Sequence, residues 1–226
     1  MSLSAIKRQV ISCQRCPRLR AYCARVARQK RAAFRDDNYW GKPVPGFGDR
    51  RARVMVIGLA PAAHGANRTG RVFTGDKSGD FLFSALHATG FANQPSSTHL
   101  KDGLKLTDAY INAVVRCAPP ENKPTKREIQ NCEPFLEAEL RTLKNVQVVV
   151  ALGKIACDAY WRLLATSGIL PKPKPHFTHG LVFDKTKGLR PLLVASYHPS
   201  QQNTNTGKLT ATMMTDIFRQ VRTLLK

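Results

Sequence analysis

The chain contains no run of about 18 apolar residues, the length a helix needs to cross a bilayer. Its first residues, Met-Ser-Leu-Ser-Ala-Ile-Lys-Arg, lead into polar sequence rather than the apolar stretch of a secretory signal. Both absences predict a cytosolic protein with no membrane partner. Internal repeats and low-complexity tracts are also missing, which argues against solenoid or disordered architectures. No G-x-x-x-x-G-K-[ST] stretch occurs, and Gly153-Lys154 lacks the preceding glycines, so a phosphate-binding transferase of that kind is excluded. Acidic residues are scarce: 15 Asp and Glu face 36 Lys and Arg, a formal net charge of +21. That imbalance exceeds what solubility requires and points to a polyanionic partner, with nucleic acid foremost. The basic residues run from Lys7 to Lys226, so the folded surface rather than a tail carries the field. Charge of this kind supplies affinity but no reaction.

The 226 residues suffice for one well-buried domain. The expectation is one domain over 1–226, with a cysteine-bearing helical segment over residues 1–35, in round terms, packed on it. Four short apolar runs, Arg53 to Ile57, Ala109 to Val115, Val146 to Leu152 and Pro191 to Tyr197, read as buried strands. Helical spacing appears over Ser78 to Gly90, Lys126 to Leu143, Lys154 to Leu164 and Ala211 to Leu225. Strands alternating with helices give an α/β fold in which a parallel sheet is covered on both faces.

A parallel sheet brings the ends of its strands to one edge, where open α/β sheets bind ligands. Four features converge there. The loop Gly58-Leu-Ala-Pro-Ala-Ala-His-Gly-Ala-Asn-Arg-Thr-Gly-Arg-Val-Phe-Thr-Gly-Asp76 follows the first strand, Asn112 to Pro120 the second, Gly153-Lys154 the third, and His198-Pro199-Ser200 the fourth. Each alone has an ordinary structural reading: a surface histidine, an asparagine satisfying local backbone, or, for Asp76, an acidic helix cap. Trp40 and Phe47, in the Gly- and Pro-rich approach to the first strand, read equally as packing residues or substrate contacts.

In a reducing cytosol, six cysteines suggest ligands and buried thiols rather than disulfides. Cys13 and Cys16 form a tight C-x-x-C pair beside Pro17, and Cys117 with Cys132 forms a looser one. This spacing leaves zinc and an iron-sulfur cluster equally open. Cys23 and Cys157 read as packed thiols.

These motifs together resemble the iron-sulfur uracil-DNA glycosylases, specifically the type B or family 5 branch, over nearly the whole chain. Gly58-Leu-Ala-Pro-Ala-Ala-His-Gly with Asn67-Arg-Thr-Gly-Arg and Phe73-Thr-Gly-Asp76 is similar to the first motif of that branch. Val115-Arg-Cys-Ala-Pro-Pro-Glu-Asn122-Lys-Pro-Thr is similar to its middle segment, and His198-Pro-Ser-Gln-Gln-Asn-Thr-Asn-Thr-Gly-Lys-Leu209-Thr to its last. The resemblance implies a three-layer α/β/α sandwich around a four-stranded parallel sheet, and a [4Fe-4S] cluster on Cys13, Cys16, Cys117 and Cys132. It also implies a DNA repair hydrolase that flips a damaged base into a pocket and cleaves its N-glycosidic bond, leaving an abasic site. Most such enzymes carry an acidic or amide side chain where this chain has Ala60, so the usual water-orienting group is missing, as in family 5.

On this reading Phe73 stacks on the base, and Asn112 reads O4 and N3–H of a pyrimidine through its amide. His198 and the backbone of the Gly58 to Pro61 turn stabilise charge on the leaving base, and Asp76 or Asn122 guides water. The room left at Ala60 extends the substrates from uracil to other deaminated bases such as hypoxanthine. Ser200, Gln201, Asn203, Thr206 and Leu209 form a loop that wedges into the duplex. The expected partners are single- and double-stranded DNA carrying such bases, the expected state a monomer, and the expected location the cytoplasm, at the nucleoid. The alternative is a catalytically inactive iron-sulfur or zinc nucleic-acid-binding protein of the same fold. Phe73, Asp76, Asn112 and His198 discriminate the two, because a pure binder needs none of them.

Overall fold

The computed structural model describes residues 1–168, 173–184 and 191–225. In chain order its elements are α1 (Leu3–Ile11), α2 (Pro17–Gln29), β1 (Phe47–Gly48), β2 (Val54–Gly58), α3 (Ala66–Thr69), α4 (Lys77–Ala88), β3 (Ala109–Ala113), α5 (Lys126–Thr142), β4 (Val148–Leu152), α6 (Lys154–Thr166), β5 (Val182–Phe183), β6 (Leu192–Ser196), α7 (Gln201–Asn205) and α8 (Ala211–Leu224). The sheet has six strands in the order β1-β3-β2-β4-β6-β5, not the four expected. The four apolar runs form its parallel centre. The two additions are antiparallel, β1 on β3 and β5 on β6. Each is two residues long, too short to leave a periodic signal in sequence.

Every residue of the four central strands is buried, as expected of a parallel sheet covered on both faces. Alternate side chains enter two cores. Val54, Val56, Ile111, Val150 and Val194 pack with Leu82, Phe83 and Leu86 of α4 and Met214, Ile217 and Phe218 of α8. Met55, Ile57, Val149 and Leu193 pack with Leu19 of α2, Leu136 of α5 and Tyr160 and Trp161 of α6. The helices begin where the sequence supplies caps. Asp76 accepts from the Gly79 amide at 3.0 Å to start α4, and Thr125 with Glu128 forms a capping box on α5.

The second core holds a charged group. Arg116 donates from Nη1 and Nη2 to Glu139 Oε1 and Oε2 at 3.1 and 2.5 Å, with both side chains 1% exposed. Tyr110 Oη donates to Oε1 at 3.1 Å and Asn112 Nδ2 to Oε2 at 2.8 Å, so one carboxylate fastens α5 to β3 and its following segment. Burying such a pair gives little net stability, whereas breaking it strands a charge. Glu139→Gln is therefore expected to cost about 3–5 kcal/mol, measured as a lower urea midpoint at unchanged m-value.

Candidate active site

The four parallel strands end at Gly58, Ala113, Leu152 and Ser196, and the predicted loops do meet at that edge. Phe73 is buried with φ +53°, a left-handed conformation that a bulky residue rarely takes. Two glycines make room for it. A Cβ on Gly58 would lie 2.7 Å from the Phe73 ring, and one on Gly79 would overlap the Phe73 carbonyl. The Phe73 ring stands 5.9 Å from that of His198, tilted by 33°. His198 in turn packs over Gly153 (φ +91°), whose absent Cβ would approach the His198 Cβ to 3.1 Å. Burial pushes the His198 imidazole down to about 4, so it is neutral at physiological pH.

Beside this group lies a cleft of about 1330 Å³, lined by residues that include Asp76, Asn122, His64, Tyr22, Arg31 and Gln201. Burial pushes the Asp76 carboxyl up, opposed by hydrogen bonds from the backbone of Gly79 and Ser78. Its Oδ2 occupies the space a side chain on Gly65 would need. Gly65→Ala is expected to displace Asp76 and to cost about 1–3 kcal/mol through overpacking, read from the denaturation midpoint. Asn122 is exposed on the cleft wall, and it and Glu121 both have left-handed backbone, with φ +57° and +54°. Thus the structure brings Asp76 and Asn122 to one cleft, with Gly58, Phe73 and His198 in an adjoining cluster. Ala60 is partly buried and packs against the second core.

Two expected site residues are placed differently. Asn112 is buried on the side of the sheet that faces α5, and its Nδ2 donates to Glu139 Oε2 at 2.8 Å and to Met55 Sδ at 3.6 Å, so both amide hydrogens are already directed at protein atoms rather than at a base O4. Its Oδ1 has no hydrogen-bond partner among the described residues. Leu209 is buried in the first core rather than exposed at a loop tip. It precedes Thr210, the N-cap of α8, and Met214 lies in the same core, the positions of a hydrophobic staple. The stretch before it is partly helical, for Ser200 caps α7 by accepting from Asn203. Asn203 Nδ2 donates to the His198 carbonyl at 2.8 Å, which ties α7 to the histidine. Gln201 and Thr206 are exposed there.

The cysteines converge as well. Burial and the neighbouring thiols of Cys117 and Cys13 raise the Cys16 pKa. Burial pushes Cys132 to about 12, with Cys117 and Cys16 adding to it. The four lie where the α1–α2 linker, the segment after β3 and α5 meet. Among the described residues, no three His, Cys, Asp or Glu side chains are drawn together tightly enough to hold a metal ion as they stand.

The model of the Uracil DNA glycosylase superfamily matches residues 45–222. The chain belongs to that superfamily. Among superfamily relatives, a type-5 uracil-DNA glycosylase of Mycobacterium bovis is 49% identical over 99% of this chain and 82% of its own length. That of Thermus thermophilus is 46% identical over 99% of both chains, and that of Pyrobaculum aerophilum 45% identical over 94% of this chain and 88% of its own. Within this superfamily member, sequence reasoning passed over His64 and Tyr39. Tyr39 Oη lies 2.9 Å from His64 Nδ1, within hydrogen-bond distance. His64 stood inside the first motif, but nothing in sequence places Tyr39 beside it.

Proposed function

We propose that this chain is a uracil-DNA glycosylase of the type-5 kind, excising uracil and hypoxanthine from DNA by hydrolysis. The observation that carries the reading is the Phe73–Gly58–His198 cluster at the strand ends, beside a cleft holding the half-buried Asp76 carboxylate. Phe73 provides a stacking face for the flipped base. Charge develops on the base as the bond breaks, and the neutral imidazole of His198 donates to it, together with the amides of the Gly58 to Pro61 turn. Asp76, whose carboxyl burial favours proton uptake, guides water to the sugar from the cleft, with Asn122 opposite. Gln201, Asn203 and Thr206, carried on and after α7 behind Ser200, contact the duplex, while Leu209 anchors that segment.

Asn112 contributes a single acceptor to base selection. With the Nδ2 hydrogens directed at Glu139 and Met55 Sδ, the buried Oδ1 is the amide atom left without a partner among the described residues, and it accepts from a ring N–H. Deamination creates such a donor: cytosine and adenine present a bare ring nitrogen where uracil and hypoxanthine carry N–H. One acceptor, with Ala60 leaving room, accounts for both substrates.

Cys13, Cys16, Cys117 and Cys132 fit a [4Fe-4S] cluster in donor chemistry, being four sulfurs from three chain segments. When bound, the cluster supplies a closed structural link with no open ligand position. The protein acts as a monomer in the cytoplasm, at the nucleoid. Purified protein should convert uracil- and hypoxanthine-containing oligonucleotides to alkali-labile abasic sites and contain about four iron atoms per chain. Absence of cleavage at enzyme excess would falsify the enzymatic reading, and zinc without iron would remove the cluster.

A further inference from the structure

Residues 1–35 hold ten Lys and Arg and no Asp or Glu, the first carboxylate being Asp36. Elsewhere carboxylates are spent on pairing: Glu128 holds Arg18, Asp108 holds both Arg53 and Arg222, and Asp37 holds Arg68. Arg25, Arg28, Arg31 and Arg35 are all exposed, and among the described residues none has a carboxylate within ion-pair distance. Leu19, Cys23 and Val26 bury one face of α2, which turns Arg25 and Arg28 to the opposite side by helical periodicity. The guanidinium of Arg25 lies 5.4 Å from the Tyr22 ring. Tyr22 and Arg31 line the cleft that contains Asp76. Burial chiefly, and then the charges of Arg31 and Arg68, lower the pKa of His64 on the cleft wall. Four uncompensated guanidinium groups in a row repel one another unless an anion lies across them.

We infer that the outer face of α2 and the segment to Arg35 form a second DNA-binding surface, which tracks the phosphodiester backbone of duplex flanking the nucleotide in the cleft. The occupant is argued from charge complementarity and from continuity with the cleft through Tyr22 and Arg31. The 13 residues of α2 make a rod about 20 Å long. Phosphate charges recur about every 1.7 Å along a duplex axis, so the rod faces several of them. Because these side chains reach phosphates and not bases, the surface adds affinity without sequence preference. The inference rests on the DNA reading above but not on catalysis.

The test is fluorescence anisotropy of an undamaged duplex between about 50 and 200 mM KCl. Arg25→Glu/Arg28→Glu should flatten the slope of log K against log salt by roughly 1.8, about 0.9 for each phosphate that is no longer neutralised. Arg25→Gln/Arg28→Gln should give most of that change, without added repulsion. Arg219→Glu, on α8 and paired with Asp216, is the control and should move the slope little. Cleavage of a uracil trinucleotide too short to extend from the cleft to Arg25 and Arg28 should be unchanged in both double variants. An unaltered slope would overturn the inference, as would an equal change in the control. If the wild type bound DNA with the expected slope but never cleaved uracil, the surface would stand and the enzymatic reading would fall.

Discussion

His198→Ala is expected to slow base release by about a hundredfold to a thousandfold under single-turnover conditions, with affinity for undamaged duplex unchanged. The imidazole is held between the Phe73 ring and the Gly153 backbone, so it is positioned before the base arrives. Its pKa fixes the pH dependence. The folded value is about 4 against an ordinary 6.5, so the neutral ring prevails at any pH well above 4. A neutral ring keeps an N–H to donate, and the rate should therefore show no histidine inflection between about pH 5 and 8. For stability the sign is fixed too. The unfolded chain takes up this proton near 6.5 and the folded chain only near 4, so stability falls as pH drops through that window. In His198→Ala that part of the acid sensitivity should disappear from a denaturation series. Equal losses in binding and chemistry would show that His198 binds rather than catalyses, and a rate that titrates near 6.5 would show that the ring is not held neutral.

Substrate analogues should separate the two edges of the base more sharply still. Methylation at N3 of uracil removes the donor that faces Asn112 Oδ1 and is expected to cut kcat/KM by about 10⁴-fold. The loss is large because the buried acceptor stays unpaired in the complex. Replacing O4 by sulfur should change kcat/KM by less than about tenfold, since the Asn112 Nδ2 hydrogens are already directed at Glu139 and Met55 Sδ. A site that reads both edges would lose activity with both analogues. Comparable rates for 3-methyluracil and uracil would remove Asn112 from base selection altogether.

The central architecture was legible because buried parallel strands are continuous apolar runs, and Val54–Gly58, Ala109–Ala113, Val148–Leu152 and Leu192–Ser196 fall within or one residue beyond the predicted segments. The major helices were legible from spacing, and α4 also from the acidic cap at Asp76. The short elements β1, β5, α3 and α7 were not, because two to five residues are too few to repeat a period. The strand-end rule correctly brought together the loops bearing Phe73 and His198 from distant parts of the chain. It could not show which way Asn112 faces, since a one-residue change of register turns a strand side chain to the other face. Nor could it show that Glu139, well inside α5, takes the Asn112 amide. Leu209 misled because an apolar residue near a polar loop can be a wedge or a staple, and only its burial distinguishes them.

The two-residue strands β1 and β5 bear on association rather than catalysis. The parallel centre is bordered by β3 and β6, each a five-residue run whose outer edge would otherwise template pairing with another chain. Phe47–Gly48 and Val182–Phe183 lie antiparallel along those edges and present only short, interrupted rims to solvent. An edge this short gives other copies of the chain little to align upon.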